Sequence, residues 1–174
     1  MSQLMMYRPT LSDLPAQPTL PPDYTLRLYQ PGDLHPLARM LQHAFDDHDW
    51  TATRVRQDLV TAPDVLATYV IDYRGLHVAT GSAQVKPRVS DGYLHWIGVE
   101  PRHRGQRLGY AISLAVLHAL QSHGFQSALL LTDDHRLAAI ATYQQLGFQP
   151  HHTDATHTAR WAAIQAQLGA RSAV

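Results

Sequence analysis

The stretch from Leu108 to His123 constrains this chain more than any other. Leu108, Ile112, Ala115 and Ala119 recur at helical spacing and form one apolar stripe, which Leu114, Leu117 and Leu120 widen. A helix with so wide an apolar face packs against a sheet, so the fold belongs to the α/β (α+β) class. Strand-like runs supply that sheet. Val65 to Tyr73 and Leu76 to Lys86 are rich in β-formers and are split by Arg74-Gly75, a short hairpin signal. Tyr93 to Val99 follows the polar turn Ser90-Asp91-Gly92. Three such strands in succession make an antiparallel meander.

The flanking segments complete the layers. Tyr24 to Tyr29 alternates as a half-buried edge strand does. Asp33 is placed to cap a helix through Leu34, Leu37, Ala38, Leu41 and Phe45, with Pro36 tolerated in its first turn. A second helix near Thr51 to Thr61 stops before Pro63. Gly124 ends the long helix, and Gln126 to Thr132, with three consecutive leucines, has the pattern of a parallel strand covered on both faces. A helix from Arg136 to Leu146, a short strand from Phe148 and a terminal helix over Ala159 to Leu168 follow. Residues 1–22 hold Pro9, Pro15, Pro18, Pro21 and Pro22, which describe an extended N-terminal arm, either disordered or lying across the domain or a partner subunit. Residues 23–174 then form one domain.

Composition narrows the function. A chain of 174 residues suits a single domain with a proper core. Its formal net charge is zero, which argues against nucleic acid or an anionic membrane as partner. No cysteine is present, so disulfides, thiolate metal sites and a cysteine nucleophile are excluded. The twelve histidines lack ligand spacing, since His43 and His48, like His118 and His123, are five apart. No metal is expected. With no basic stretch leading into an apolar run, the expected compartment is the cytoplasm.

Between the third strand of the meander and the long helix runs Gly98-Val99-Glu100-Pro101-Arg102-His103-Arg104-Gly105-Gln106-Arg107-Leu108-Gly109-Tyr110-Ala111. Glycines at a strand-to-helix junction let backbone approach an anion, and the first N–H groups of a helix have no internal partner. Neither the Gly-Lys-Ser/Thr loop of ATP sites nor the Gly-x-Gly-x-x-Gly dinucleotide fingerprint is present. Arg104 to Gly109 instead resembles the Gln/Arg-x-x-Gly-x-Gly/Ala motif of the GCN5-related N-acetyltransferase (GNAT) superfamily, with Arg107 in the place of the first motif glycine. An arginine there keeps its N–H donor provided its backbone angles are helical. Further on, Arg136-Leu137-Ala138-Ala139-Ile140-Ala141-Thr142-Tyr143-Gln144-Gln145-Leu146-Gly147-Phe148 resembles the family's Asn-x-x-Ala-Ile-x-x-Tyr-x-x-x-Gly-Phe helix, with Arg136 replacing Asn.

The resemblance, over about residues 24–150, implies a mixed, mostly antiparallel twisted sheet with one splayed parallel pair and helices on both faces. It implies transfer of an acetyl group from acetyl-CoA to a primary amine, on a small molecule or a peptide, by direct attack in a ternary complex. The coenzyme's pyrophosphate is then held by Arg104, Gly105, Gln106, Arg107, Leu108, Gly109 and Tyr110. Pantetheine enters the wedge beside Ile97, Gly98 and Val99, where Gly98 permits a bulge, and Arg136, Ala139 and Tyr143 line its far side. Tyr143 protonates the departing thiolate, or else packs its helix onto the sheet.

A base is less defined. Glu100 at the strand end is the first candidate against a solvated turn residue; His95 and Asp134 are others, and Asp133 competes with a helix-capping role. Asp46, Asp49 and Trp50, with Asp133, offer carboxylates and an indole to a cationic amine, or form a solvated loop. A different class of function keeps the fold but makes the chain a CoA-binding sensor or interaction module. The arm and terminal helix offer surfaces for a homodimer.

Overall fold

A computed structural model describes residues 3–86 and 90–172. The elements are β1 (Leu4–Arg8), β2 (Tyr24–Leu28), α1 (Leu34–Phe45), α2 (Ala52–Leu59), β3 (Val65–Tyr73), β4 (Leu76–Val85), β5 (Gly92–Val99), α3 (Leu108–Ser122), β6 (Ala128–Thr132), α4 (Leu137–Gln145), β7 (Gln149–His151) and α5 (His157–Ser172). All seven strands join one sheet in the order β2-β3-β4-β5-β6-β1-β7. Every adjacent pair is antiparallel except β5 and β6. The expected meander is β3, β4 and β5, and Arg74 and Gly75 both take positive φ in the two-residue turn between its first strands.

One face of the sheet is covered by α1 and α2, which bury Leu37, Leu41, Val55 and Leu59 around Trp50. The other carries α3, with Leu114, Leu117 and Leu120 against Leu94 and Leu130; Ile140 of α4 and Trp161 of α5 complete this core. Two glycines show how closely the layers approach. A Cβ at Gly81 would lie 2.6 Å from Ile97 Cδ1 on the α3 side, and one at Gly98 would lie 3.1 Å from the Phe45 ring on the α1 side. Asp33 does not cap α1: its carboxylate accepts the Gln30 N–H at 2.7 Å and pairs with Arg27, also at 2.7 Å.

The N-terminal arm needs correction. Leu4–Arg8 is an interior strand, paired with β6 through Leu4↔Thr132 to Arg8↔Ala128 and with β7 through Met5↔His151 to Tyr7↔Gln149. Its five residues hold no proline and alternate, with Leu4 and Met6 buried; the prolines all come later, from Pro9 onward. Averaged over 22 residues, the proline content hides this strand. The following segment straps along α3. Gln121 donates to Leu11 O, His118 Nε2 lies 2.9 Å from Pro15 O, and Gln17 donates to Ala111 O at 2.8 Å.

Candidate active site

The parallel ladder between β5 and β6 holds for only three pairs, Gly92↔Ala128, Tyr93↔Leu129 and Leu94↔Leu130. Beyond Leu94 the strands part, so the edge of β5 from His95 to Val99 has no ladder partner on that side. The cause lies in β5 itself. Its register with β4 jumps from Ser82↔His95 to Thr80↔Gly98, so that Trp96 and Ile97 together oppose Gly81. Trp96 is the residue in the left-handed region, at φ +50°. The bulge therefore sits at Trp96 and not at Gly98. Trp96 is held there edge-on to Trp50 (4.6 Å between ring centroids) and to Phe45 (5.5 Å), contacts that come from α1 and the segment after it.

Past the wedge, Glu100 turns the chain. Its Oε2 accepts the Arg102 N–H at 2.7 Å to cap the short 3₁₀ turn Pro101–His103, and its Oε1 lies 3.5 Å from His43 Nδ1. One oxygen of this base candidate thus serves the loop and the other faces α1. Gly105 takes φ +81°, and Arg107 stands at the start of α3 with φ +57° and ψ +18°. The helical angles expected of Arg107 are not adopted. A left-handed side chain there costs roughly 1–2 kcal/mol, and its guanidinium lies 5.1 Å from the Tyr110 ring. The Arg107 side chain makes no capping bond to α3, and among the described residues the N–H groups of Leu108, Gly109 and Tyr110 have no helical acceptor.

On the other side of the wedge, Arg136 begins α4. Its Nε is 3.4 Å from Asp133, and its guanidinium stands 4.7 Å from the Phe45 ring, linking α4 to the end of α1. Asp133 also receives Gln3 Nε2 at 3.2 Å, whereas Asp134 accepts Arg160 Nε at 2.9 Å. The Arg160 guanidinium holds Asp134 below the usual carboxylate range. Ala139 is half-buried and packs against the α3 core. Tyr143, 6 % exposed, is pushed up to about 12 by burial. The end of α4 explains the Tyr-x-x-x-Gly-Phe spacing: Phe148 N–H donates to Tyr143 O at 3.0 Å and Gly147 N–H to Gln144 O at 2.9 Å. This pair of bonds needs a left-handed residue at Gly147 (φ +82°) and brings the Phe148 ring against Tyr143, 6.1 Å between centroids.

Residues 34–148 match the family model described as the Acetyltransferase (GNAT) family. This chain belongs to the GNAT family. A mycothiol acetyltransferase from Nocardia farcinica is 32% identical over 159 residues, covering 82% of this chain and 51% of that protein. The chain thus spans about half the length of such curated relatives. Among solved structures, a GCN5-related N-acetyltransferase from Sphaerobacter thermophilus superposes with a TM-score of 0.67 at 20% identity, over 87% of this chain and 50% of that one. An aminoglycoside N-acetyltransferase in complex with CoA gives a TM-score of 0.64 at 16% identity, over 75% and 91%. The likeness to both structures is one of fold.

In this GNAT domain the candidate acceptor residues do not converge. Trp50 is fully buried, and its face is already occupied by the Arg54 guanidinium at 4.1 Å, so no ligand cation can stack there. Arg54 is held in turn by Asp47 at 3.0 Å and Asp58 at 3.4 Å. Asp46 takes φ +52° to end α1 and is exposed; the exposed Asp49 turns its N–H to Asp47 Oδ1 at 3.0 Å. The residues that sequence reasoning missed are Phe45, Arg54 and Tyr93. Arg54 stands in the first turn of α2, just after Trp50, and that nearness in sequence is the signal that could have exposed the pairing.

His95 lies on β5 where the ladder ends, its ring 4.9 Å from Tyr93 and 4.8 Å from Trp96. Burial, helped by nearby Lys86 and opposed by Asp64, lowers it from 6.5 to about 4. Between those values the unfolded chain binds the extra proton, so stability falls as pH drops through that window. Discounted for partial exposure, the loss is about 2 kcal/mol. In unfolding titrations, the wild type therefore loses more stability between pH 6.5 and 4 than His95→Gln does. Parallel pH curves for the two would contradict this.

Proposed function

We propose that this chain transfers an acetyl group from acetyl-CoA to the primary amine of a small polar molecule, by direct attack in a ternary complex. The observation that carries the reading is the splay of β5 from β6 at Leu94, directly before the left-handed bulge and the uncapped start of α3. The relatives' names, a mycothiol acetyltransferase and an aminoglycoside N-acetyltransferase, support a small-molecule acceptor.

In this reading the N–H groups of Leu108, Gly109 and Tyr110 take the pyrophosphate, with Arg104, Gln106 and Arg107 around them. Pantetheine amides pair with the free backbone edge of β5. A backbone N–H between Ile97 and Val99 polarises the thioester carbonyl, and the negative charge that grows as the amine attacks is held there. The amine nitrogen bonds to the carbonyl carbon, the carbon–sulfur bond breaks, and Tyr143 O–H faces the departing thiolate as proton donor. The proton that the attacking nitrogen sheds passes to water or to Glu100, the base candidate at the end of β5; His95, held at about 4 by burial, is too weak a base to keep it at neutral pH. A free amine and a polarised thioester need no metal between them, so dialysis against EDTA leaves turnover unchanged.

The test is acetyl transfer across a panel of small amines, read by release of the CoA thiol and by the mass of the product. Turnover with at least one amine is the expected result. Tight coenzyme binding without transfer to any amine would favour a sensor. Pyrophosphate bound away from the Arg104–Gly109 amides in a coenzyme complex would overturn the site.

A further inference from the structure

The geometry points to Arg8 as a positioning residue for Tyr143, acting from β1 through the end of α4; its catalytic meaning rests on the acetyl-transfer reading above. Arg8 is 6 % exposed. Its Nη1 donates to Leu146 O, 138 positions away, and its Nη2 pairs with Asp13. The Leu146 carbonyl, at the residue that ends α4, is among those that the Tyr143–Phe148 and Gln144–Gly147 bonds leave over. A cation there meets the negative end of the helix. Arg8 also fills the place a side chain on residue 147 would take, since a Cβ at Gly147 would collide with Nη1. The guanidinium thus closes the cap whose other members are Tyr143 and Phe148, and Tyr143 lies within one turn of the carbonyl it grips.

Stability alone does not call for an arginine here. Its ion-pair partner Asp13 is 64 % exposed, so the pair contributes little to stability, and Arg8 keeps its Nε buried without a partner. What a planar fork gives that a methionine does not is a fixed anchor for one carbonyl, and so for the turn that bears the Tyr143 ring. Displacements of about 1 Å at a reacting group can cost as much as 10²-fold in rate.

A double-mutant cycle separates this role from a general loss of structure. Arg8→Met should lower kcat about tenfold, with KM for acetyl-CoA changed less than about twofold, as expected when only transition-state alignment is lost. In the Tyr143→Phe background the same substitution should change kcat less than about twofold, because the hydroxyl it positions is gone. Equal losses in both backgrounds, or none in the first, would overturn the assignment. If Arg8→Met does not fold, Arg8→Lys, which keeps the charge but not the fork, enters the same cycle. Absence of wild-type turnover would count against the acetyl-transfer reading alone. The positioning claim would then be read from the NMR ring signals of Tyr143 and Phe148, which must shift in the Arg8 variant and would refute it by staying in place.

Discussion

Tyr143→Phe is expected to lower kcat about 10²-fold while the melting temperature stays within a few degrees of the wild type. The change removes one oxygen and leaves the ring, so the contact with Phe148 and the packing against Ile140 and Leu146 persist. The size of the effect follows from the acidity of the phenol. Proton donors on enzymes contribute about 10²–10⁴-fold, most when their pKa lies near the working pH. Tyr143 is held at about 12, far above neutrality, which puts it at the low end of that range. The same value means that phenolate does not accumulate at pH 7, so the hydroxyl is available as a donor throughout. KM for acetyl-CoA should change little, because the hydroxyl is asked to act only as the thiolate leaves. A variant with undiminished kcat would make Tyr143 a packing residue.

Gly147→Ala is expected to destabilise the domain by about 3 kcal/mol, read as a lowered midpoint in denaturant unfolding. Two costs add. A left-handed backbone at φ +82° is unfavourable by about 1–2 kcal/mol for alanine. The new Cβ also meets the Arg8 guanidinium, which can move only by releasing Leu146 O, a charge-assisted bond worth about 1.5–3 kcal/mol. Arg8→Met combined with Gly147→Ala should cost less than the two separately, since the collision is gone. An alanine variant as stable as the wild type would mean that the cap is slack.

The layers were legible because they rest on local signals. The breadth of the apolar face between Leu108 and Leu120 required a sheet, and Arg74-Gly75 marked a turn whose backbone takes positive φ at both residues. Gly147-Phe148 was legible as a motif before it was legible as a cap. What escaped was tertiary in origin. A tryptophan seldom adopts φ +50°, and Trp96 does so because Trp50 and Phe45, distant in sequence, pin its ring. No glycine marks the bulge in the sequence, and the smallness of Gly98 serves the approach of Phe45 and Ala44 instead. Trp50 looked like a ligand surface because an indole beside carboxylates can receive a cation. The cation turned out to be the chain's own Arg54. Arg107 likewise kept its place in the motif without the backbone angles that an arginine favours.

The interior position of β1 has a consequence for how the domain assembles. The ladder partners of Leu4 and Tyr7 are Thr132 and Gln149, so β1 stays unpaired during synthesis until residues 128–151 have been made. Contacts of such sequence separation are slow to close, and this sheet cannot be sealed by local zippering. In the interval β6 has an open edge of consecutive leucines, Leu129 to Leu131, which is the kind of segment that associates with other chains. Refolding should accordingly end with a late docking event of the N-terminal strand, and yield should fall with protein concentration if that event is delayed.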